Sequence, residues 1–93
     1  MPIPSTSLNS LHPYTWELAV EGPVLGVFMT GDDDFYYVWA EEEPTYGEAG
    51  SPSGHFVPAR CNEVATVPEG ISLYVRAASL TPCNLTITLE PVV

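Results

Sequence analysis

The strongest constraint on the fold is a strict alternation of apolar and polar residues near the end of the chain. Every second residue is apolar in residues 71–77, and the same pattern returns in residues 84–90 after a short break that contains Pro82. Successive side chains of a β-strand point to opposite faces of a sheet. The alternation therefore predicts two β-strands, each with one buried face and one exposed face.

The rest of the chain follows the same pattern. Further strands are predicted at 14–20, 24–30 and 35–40, with short extended pieces at 55–57 and 63–67. Residues that favour turns, chiefly Gly, Pro and Asp, separate these segments, and no helical periodicity of useful length is present. About seven short strands at this spacing predict an all-β fold: a small antiparallel β-sandwich or a jelly-roll-like domain.

The segment 35–40, FYYVWA, is aromatic on both faces. Phe35, Tyr37 and Trp39 share one face, and Tyr36 and Val38 share the other. A strand of this kind is usually central in its sheet, or its outer face is covered by a loop or another chain. We therefore expect this strand either to be central or to have its outer face covered.

The sequence divides into an arm and one domain. Residues 1–13 contain Pro2, Pro4 and Pro13, which favour extended backbone, so an extended amino-terminal arm is predicted there. Such an arm is either loose or laid across a neighbouring subunit. Residues 14–93 are long enough for a single sandwich domain. Within it, residues 41–54 form a long Pro- and Gly-containing loop, of the kind that often contacts partners.

Charge limits the possible partners. The chain has twelve Asp and Glu residues against two Arg and no Lys, a formal net charge of −10. Such a surface repels nucleic acid and anionic lipid, so we expect neither nucleic acid nor a membrane as partner. A basic protein partner fits, as does an exterior position on a particle, and solubility alone explains the charge equally well.

The amino-terminal residues and the cysteines indicate the compartment. The first sixteen residues contain no basic residue and no continuous apolar run, so neither a signal peptide nor a membrane anchor is predicted. We expect synthesis in a reducing cytoplasm. Cys61 and Cys83 are then expected to be free thiols, with a disulfide as the less favoured alternative.

No pattern of residues predicts catalysis or metal binding. The acidic triplets 32–34 and 41–43 bracket a strand, so they lie roughly 20 Å apart and are better explained as solvated turns than as a calcium site. His12 and His55 do not combine with the cysteines at zinc-site spacing, and no nucleophile has an orienting partner. We therefore predict no enzyme activity, no cofactor and no metal.

The aromatic residues suggest an interface. Trp16 and Trp39 fall on apolar faces and are expected in the core. Tyrosine and arginine provide large contact areas at protein interfaces. A platform on which sugar rings stack is the less favoured use of these aromatics. The predicted interface residues are Tyr36, Tyr46, Tyr74 and Arg76, together with Pro2 and Pro4 of the arm.

Residues 43–90 carry a family resemblance. A polar loop leads through Ser53-Gly54-His55 and Pro58 to a turn at residues 67–70, and an LYVRA strand at 73–77 precedes a closing strand that alternates with Thr. This arrangement resembles the small β-sandwich virion proteins of tailed bacteriophages, including head decoration (cement) proteins. The likeness covers about half of the chain.

The resemblance implies a structural function. Copies of the protein, made in the host cytoplasm, would sit on the outer surface of a capsid as homotrimers at local three-fold positions and tie neighbouring major capsid subunits together. Two alternatives stay open. One is a carbohydrate- or receptor-binding β-sandwich module, and the other is a structural component of a tail or connector.

Overall fold

The computed structural model describes residues 5–47 and 54–91, which form eight β-strands and no helix. The strands are β1 (Ser5–Leu11), β2 (Glu17–Glu21), β3 (Val24–Gly31), β4 (Phe35–Ala40), β5 (His55–Val57), β6 (Asn62–Val67), β7 (Ser72–Ala77) and β8 (Cys83–Pro91). The predicted all-β class is confirmed.

The strands form two four-stranded antiparallel sheets. The first sheet has the order β1-β8-β3-β6, and the second has the order β2-β7-β4-β5. β1 pairs with β8, β2 with β7, β3 with β6 and β4 with β5, as if one long hairpin had been rolled into two layers. This is the arrangement of a jelly roll, the double-sheet solution that small antiparallel proteins use to limit free edges.

The main core lies between the sheets and follows the alternation read from the sequence. Leu73 and Val75 of β7 are fully buried, as are Leu85 and Ile87 of β8 and Met29 of β3. Each such side chain contributes about 1.5–3 kcal/mol when it leaves water. Because β8 lies between β1 and β3 in the first sheet and β7 between β2 and β4 in the second, the most regular segments of the sequence occupy central positions.

The amino terminus differs from the predicted arm. Residues 5–11, expected to extend away from the domain, form strand β1 and pair with β8 from Ser5↔Thr88 to Leu11↔Cys83. The backbone that such a segment favours is also that of a strand, and Leu11, which is fully buried, attaches it to the core. Pro2 and Pro4 lie outside the described residues.

A second, smaller hydrophobic layer covers the outer face of the second sheet. Trp16, from the loop between β1 and β2, is buried against Val38 and Tyr74, with Tyr36 packed beside them. β4 lies between β7 and β5. The aromatic strand therefore has both features that its sequence favours as alternatives, a central position in its sheet and an outer face covered by a loop.

Trp39 is more exposed than its sequence predicts. The sequence predicts it in the core, but it is 37% exposed, on the open side of the sandwich where β5 and β6 are the edge strands. Its indole N–H donates to the Thr66 carbonyl of β6 at 2.9 Å, and the Tyr37 hydroxyl donates to Glu63 Oε2 at 3.2 Å. These two bonds tie the second sheet to the free edge of the first. Glu63 Oε1 also accepts the Val64 backbone N–H at 3.3 Å. Side chains therefore form hydrogen bonds with backbone groups of β6, which is an edge strand.

Candidate functional site

Three of the predicted interface residues come together on the outer face of the second sheet. The guanidinium carbon of Arg76 lies 4.3 Å from the ring centroid of Tyr36, 4.9 Å from that of Tyr46 and 5.1 Å from that of Trp16. Arg76 Nη1 also donates to the Pro13 carbonyl at 3.2 Å. We call Arg76, Tyr36, Tyr46 and Trp16 the arginine cluster. Its cation is held by three ring faces, a favourable arrangement for a guanidinium.

Tyr74 does not share that exposed position. It is buried in the second hydrophobic layer between Trp16 and Val38, so it stabilises the chain itself and offers no surface to another molecule. This corrects its expected interface role. The reason is the loop before β2, which covers the outer face of β7 with Trp16, a long-range contact that strand periodicity does not reveal.

Two adjoining grooves open beside the arginine cluster, and Thr15, Trp16 and Glu43 line both. The larger has a volume of about 410 Å³, and the smaller, of about 220 Å³, is bordered by the exposed rings of Tyr14 and Tyr46. Besides Trp16, the larger groove has these polar lining residues: Asn9, Ser10, His12, Thr15, Glu17 and Glu43.

The exposed rings form a continuous surface that we call the tyrosine shelf. The ring centroids of Tyr14 and Tyr46 lie 5.3 Å apart with a tilt of 59°, and the His12 ring lies 5.9 Å from Tyr14. His12 Nδ1 accepts the Tyr14 backbone N–H at 3.2 Å, so in the neutral ring the hydrogen is on Nε2. Residue type predicts Tyr46 at a contact surface, but it does not point to His12, which lies in the predicted arm, or to Tyr14, which directly follows it.

A bulge in β1 builds one wall of the larger groove. The pairing of β1 with β8 shifts between Leu8 and Leu11, and Ser10 has a φ of 58°, in the left-handed region that a non-glycine residue seldom adopts. The Ser10 N–H donates to Asn84 Oδ1 at 2.9 Å, which holds the bulge in place. Bulges of this kind re-aim side chains next to binding sites.

Asn84 is itself held by the first residue of the acidic turn. Its backbone N–H and its side-chain amide donate to the carboxylate of Asp32 at 2.8 and 2.9 Å. These bonds, the backbone one first, lower the pKa of the Asp32 carboxyl. Because the pKa of Asp32 is lowered in the folded state, its carboxylate stabilises the fold at pH values above the ordinary pKa. This stabilisation is lost as the pH falls through the lowered pKa.

The other two aspartates of the turn also accept backbone N–H groups. Asp33 Oδ1 accepts the N–H of Asp34 at 2.8 Å, and Asp34 Oδ1 accepts that of Ala59 at 2.7 Å. The three carboxylates therefore bind three different parts of the chain. Within residues 5–47 and 54–91, no group of three or more His, Cys, Asp or Glu side chains is placed to hold a metal ion.

Both cysteines are free thiols, Cys61 exposed and Cys83 buried. Burial raises the pKa of the Cys83 thiol. The thiol donates a hydrogen bond to the Asp33 carbonyl oxygen, which lies 3.3 Å from Sγ. A raised pKa makes a thiol less reactive because the thiolate is the nucleophile. The other histidine, His55, packs against the rings of Tyr37 and Trp39 at 5.2 and 5.3 Å.

The outer face of the first sheet is a second exposed surface. We call it the hydroxyl face, since threonines of β3, β6 and β8 surround three apolar residues there. Leu25, Phe28 and Val64 are each 41–54% exposed. Phe28 stands directly opposite Val64 on one side and Thr88 on the other, so its ring continues the apolar surface across two strands. The sequence pattern does not distinguish these three residues from apolar residues of the core.

No protein-family model, curated protein or solved structure matches this chain. The part of the chain that the structure describes contains no helix long and apolar enough to cross a membrane.

Proposed function

We propose that this protein is a structural virion protein: a decoration (cement) protein that binds the outer surface of a tailed-phage capsid and holds neighbouring major capsid subunits together. The resemblance of residues 43–90 to such proteins supports this assignment, and so does the jelly roll, a fold that viral capsid domains use among others. Because one fold hosts many functions, the function has to be inferred from the surface of this protein.

The observation that carries the proposal is the hydroxyl face. Leu25, Phe28 and Val64 are exposed, and Phe28 stands opposite Val64 on a face whose other outward residues are threonines together with Asn62 and Glu90. An apolar centre with a rim of hydrogen-bonding groups is the anatomy of a protein interface. Contiguous apolar surface on a protein with so many carboxylates is best explained by a partner that covers it.

Charge selects the partner. Of the two cations in the chain, Arg76 is half-buried beneath the rings of the arginine cluster, which leaves Arg60 as the exposed one against twelve carboxylates. We infer that the partner is a capsid subunit with a small apolar patch ringed by Lys and Arg, since complementary charge speeds and orients association. Copies act as trimers at local three-fold positions, in a role without catalysis.

The test is immunogold electron microscopy of tailed-phage particles produced from the genome that encodes this chain. Antibody against the protein is expected to label the head surface, and the protein is expected to sediment with the particles. The Phe28→Ser, Val64→Ser double variant should sediment with them at least about tenfold less, because two apolar contacts are lost. Label confined to tails would favour a tail component. Protein found only in the soluble fraction would overturn the proposal.

A further inference from the structure

We propose that the larger groove, together with the tyrosine shelf, is a binding site for a neutral saccharide. The site lies between the β1 bulge, the loop that follows β1 and the start of β2, and it includes none of the three apolar residues of the hydroxyl face, which the capsid contact proposed above uses. The two proposals can therefore fail independently.

The tyrosine shelf supplies the stacking surface. Sugar rings present C–H faces that pack on aromatic rings, and they need rings that solvent can reach. Tyr14 and Tyr46 are both exposed, and their centroids are 5.3 Å apart. Trp16, by contrast, is almost fully buried, so it supports the wall of the groove and does not stack with a ligand.

The groove supplies both donors and acceptors. Asn9, Ser10 and Thr15 offer amide and hydroxyl groups, and Glu17 and Glu43 offer carboxylate oxygens. Sugar hydroxyls donate and accept at the same time, so a mixed lining suits them better than a lining of one kind. The volume of about 410 Å³ lies within the range of small-ligand sites.

Charge disfavours anionic ligands in the groove and cationic ligands at the rings of the arginine cluster. Two carboxylates line the groove and repel phosphorylated, sulfated or sialylated sugars. A cationic ligand is disfavoured for a separate reason: the Arg76 guanidinium already lies 4.9 Å from the Tyr46 ring centroid and 5.1 Å from that of Trp16, so a second cation at these rings would meet a like charge.

The wall of the groove is built before any ligand arrives. Asp32 holds Asn84, and Asn84 Oδ1 holds the N–H of Ser10 in the β1 bulge. The unusual φ of 58° at Ser10 persists because these bonds enforce it. A site ordered in advance loses less entropy on binding, which suits ligands that make weak individual contacts.

The experiment screens the full chain against an array of neutral oligosaccharides and of their sialylated and sulfated counterparts, followed by calorimetric titration with the strongest neutral compound. We expect saturable binding of the neutral compound. Tyr14→Ala should weaken it by about tenfold, as expected for one lost stacking contact, while Tyr14→Phe, which keeps the ring, should stay within about threefold. Circular dichroism verifies that each variant is folded.

Charge variants provide the second arm of the test. Glu43→Gln should weaken binding by about fivefold, because the stronger charged acceptor is lost. Glu69→Gln, in the turn before β7, removes the same charge away from the groove and should change nothing. Absence of saturable heat with every neutral compound overturns the proposal. So does an equal affinity of Tyr14→Ala and the parent, or saturable binding of N-acetyl-lysine methylamide alone, which would make this a cation site.

Discussion

Arg76 illustrates how one residue can organise a whole surface. Its guanidinium touches rings from three separated parts of the chain: Trp16 before β2, Tyr36 in β4 and Tyr46 after β4. It also bonds the Pro13 carbonyl. The side chain therefore attaches two loops to the outer face of the second sheet. In a chain with only two cations, its position in this cluster is a structural role as much as an electrostatic one.

Arg76→Gln should destabilise the protein by about 2 kcal/mol. The change removes the cation from three rings and weakens the bond to Pro13, and each of these contributes about 0.5–1.5 kcal/mol. Urea unfolding followed by circular dichroism measures the loss. Arg60→Gln, at an exposed arginine, is the matched control and should stay within about 0.5 kcal/mol of the parent. Equal midpoints for the two variants would remove Arg76 from this role.

Tyr37 should make stability depend on alkaline pH. Burial raises the pKa of its hydroxyl, and the negative charge of Glu63 and the bond to it raise the pKa further. The pKa of Tyr37 in the folded protein therefore lies above the unfolded value of about 10. The stability that the neutral hydroxyl contributes is complete below about pH 10 and is lost as the pH rises through the folded-state pKa. Absorbance at 295 nm should show a late tyrosine ionisation that Tyr37→Phe abolishes. An unchanged titration in the variant would contradict this assignment.

At the level of elements, the sequence predicts strands well where both faces are spelled out. β7 and β8 follow from alternation, and β4 follows from its aromatic residues, because each of these strands is central and buries most of one face. The sequence does not predict β1 as a strand, since STSLNSL contains only two apolar residues and pairs with a strand more than seventy residues away. Local pattern carries little information about such a distant partner.

The candidate site was predictable only in part, for the same reason. Tyr36, Tyr46 and Arg76 were singled out by residue type, and the structure brings them together. The sequence predicts Trp39 in the core and Tyr74 at the surface, whereas in the structure Trp39 is exposed and Tyr74 is buried. The boundary between core and surface depends on which loop covers which face: the loop with Trp16 covers Tyr74, whereas Trp39 stays 37% exposed beside the loops that the structure describes.

Trp39→Phe tests how the two sheets are joined on the side where β5 and β6 are the edge strands. The substitution keeps an aromatic ring but removes the N–H that donates to the Thr66 carbonyl of β6. A loss of about 1 kcal/mol in unfolding free energy is expected for one hydrogen bond. Hydrogen exchange should report faster opening of β6 than of β8, which is central in its sheet. Uniform acceleration in both strands would mean that the bond stabilises the molecule without acting on this edge.

At the scale of the whole molecule, two opposed properties share one surface. A net charge of −10 keeps copies apart, while the hydroxyl face provides apolar area through which proteins associate. The charge acts over about 10 Å at 0.1 M salt, and the apolar contact acts only on touching. The balance between them therefore depends on pH and on ionic strength, and both can be changed without altering the fold.

Lowering the pH from 7 towards the isoelectric point of about 4.1 should thus promote self-association through the hydroxyl face, as should adding salt at pH 7. Light scattering measures the effect. The Phe28→Ser, Val64→Ser variant should stay smaller than the parent at both conditions, because the apolar contact is gone. Leu80→Ser is the control: Leu80 is 76% exposed but lies in the turn between β7 and β8, so its loss should leave association unchanged. If Leu80→Ser reduces association as much as the double variant, exposed apolar area in general drives it, and the hydroxyl face has no special affinity.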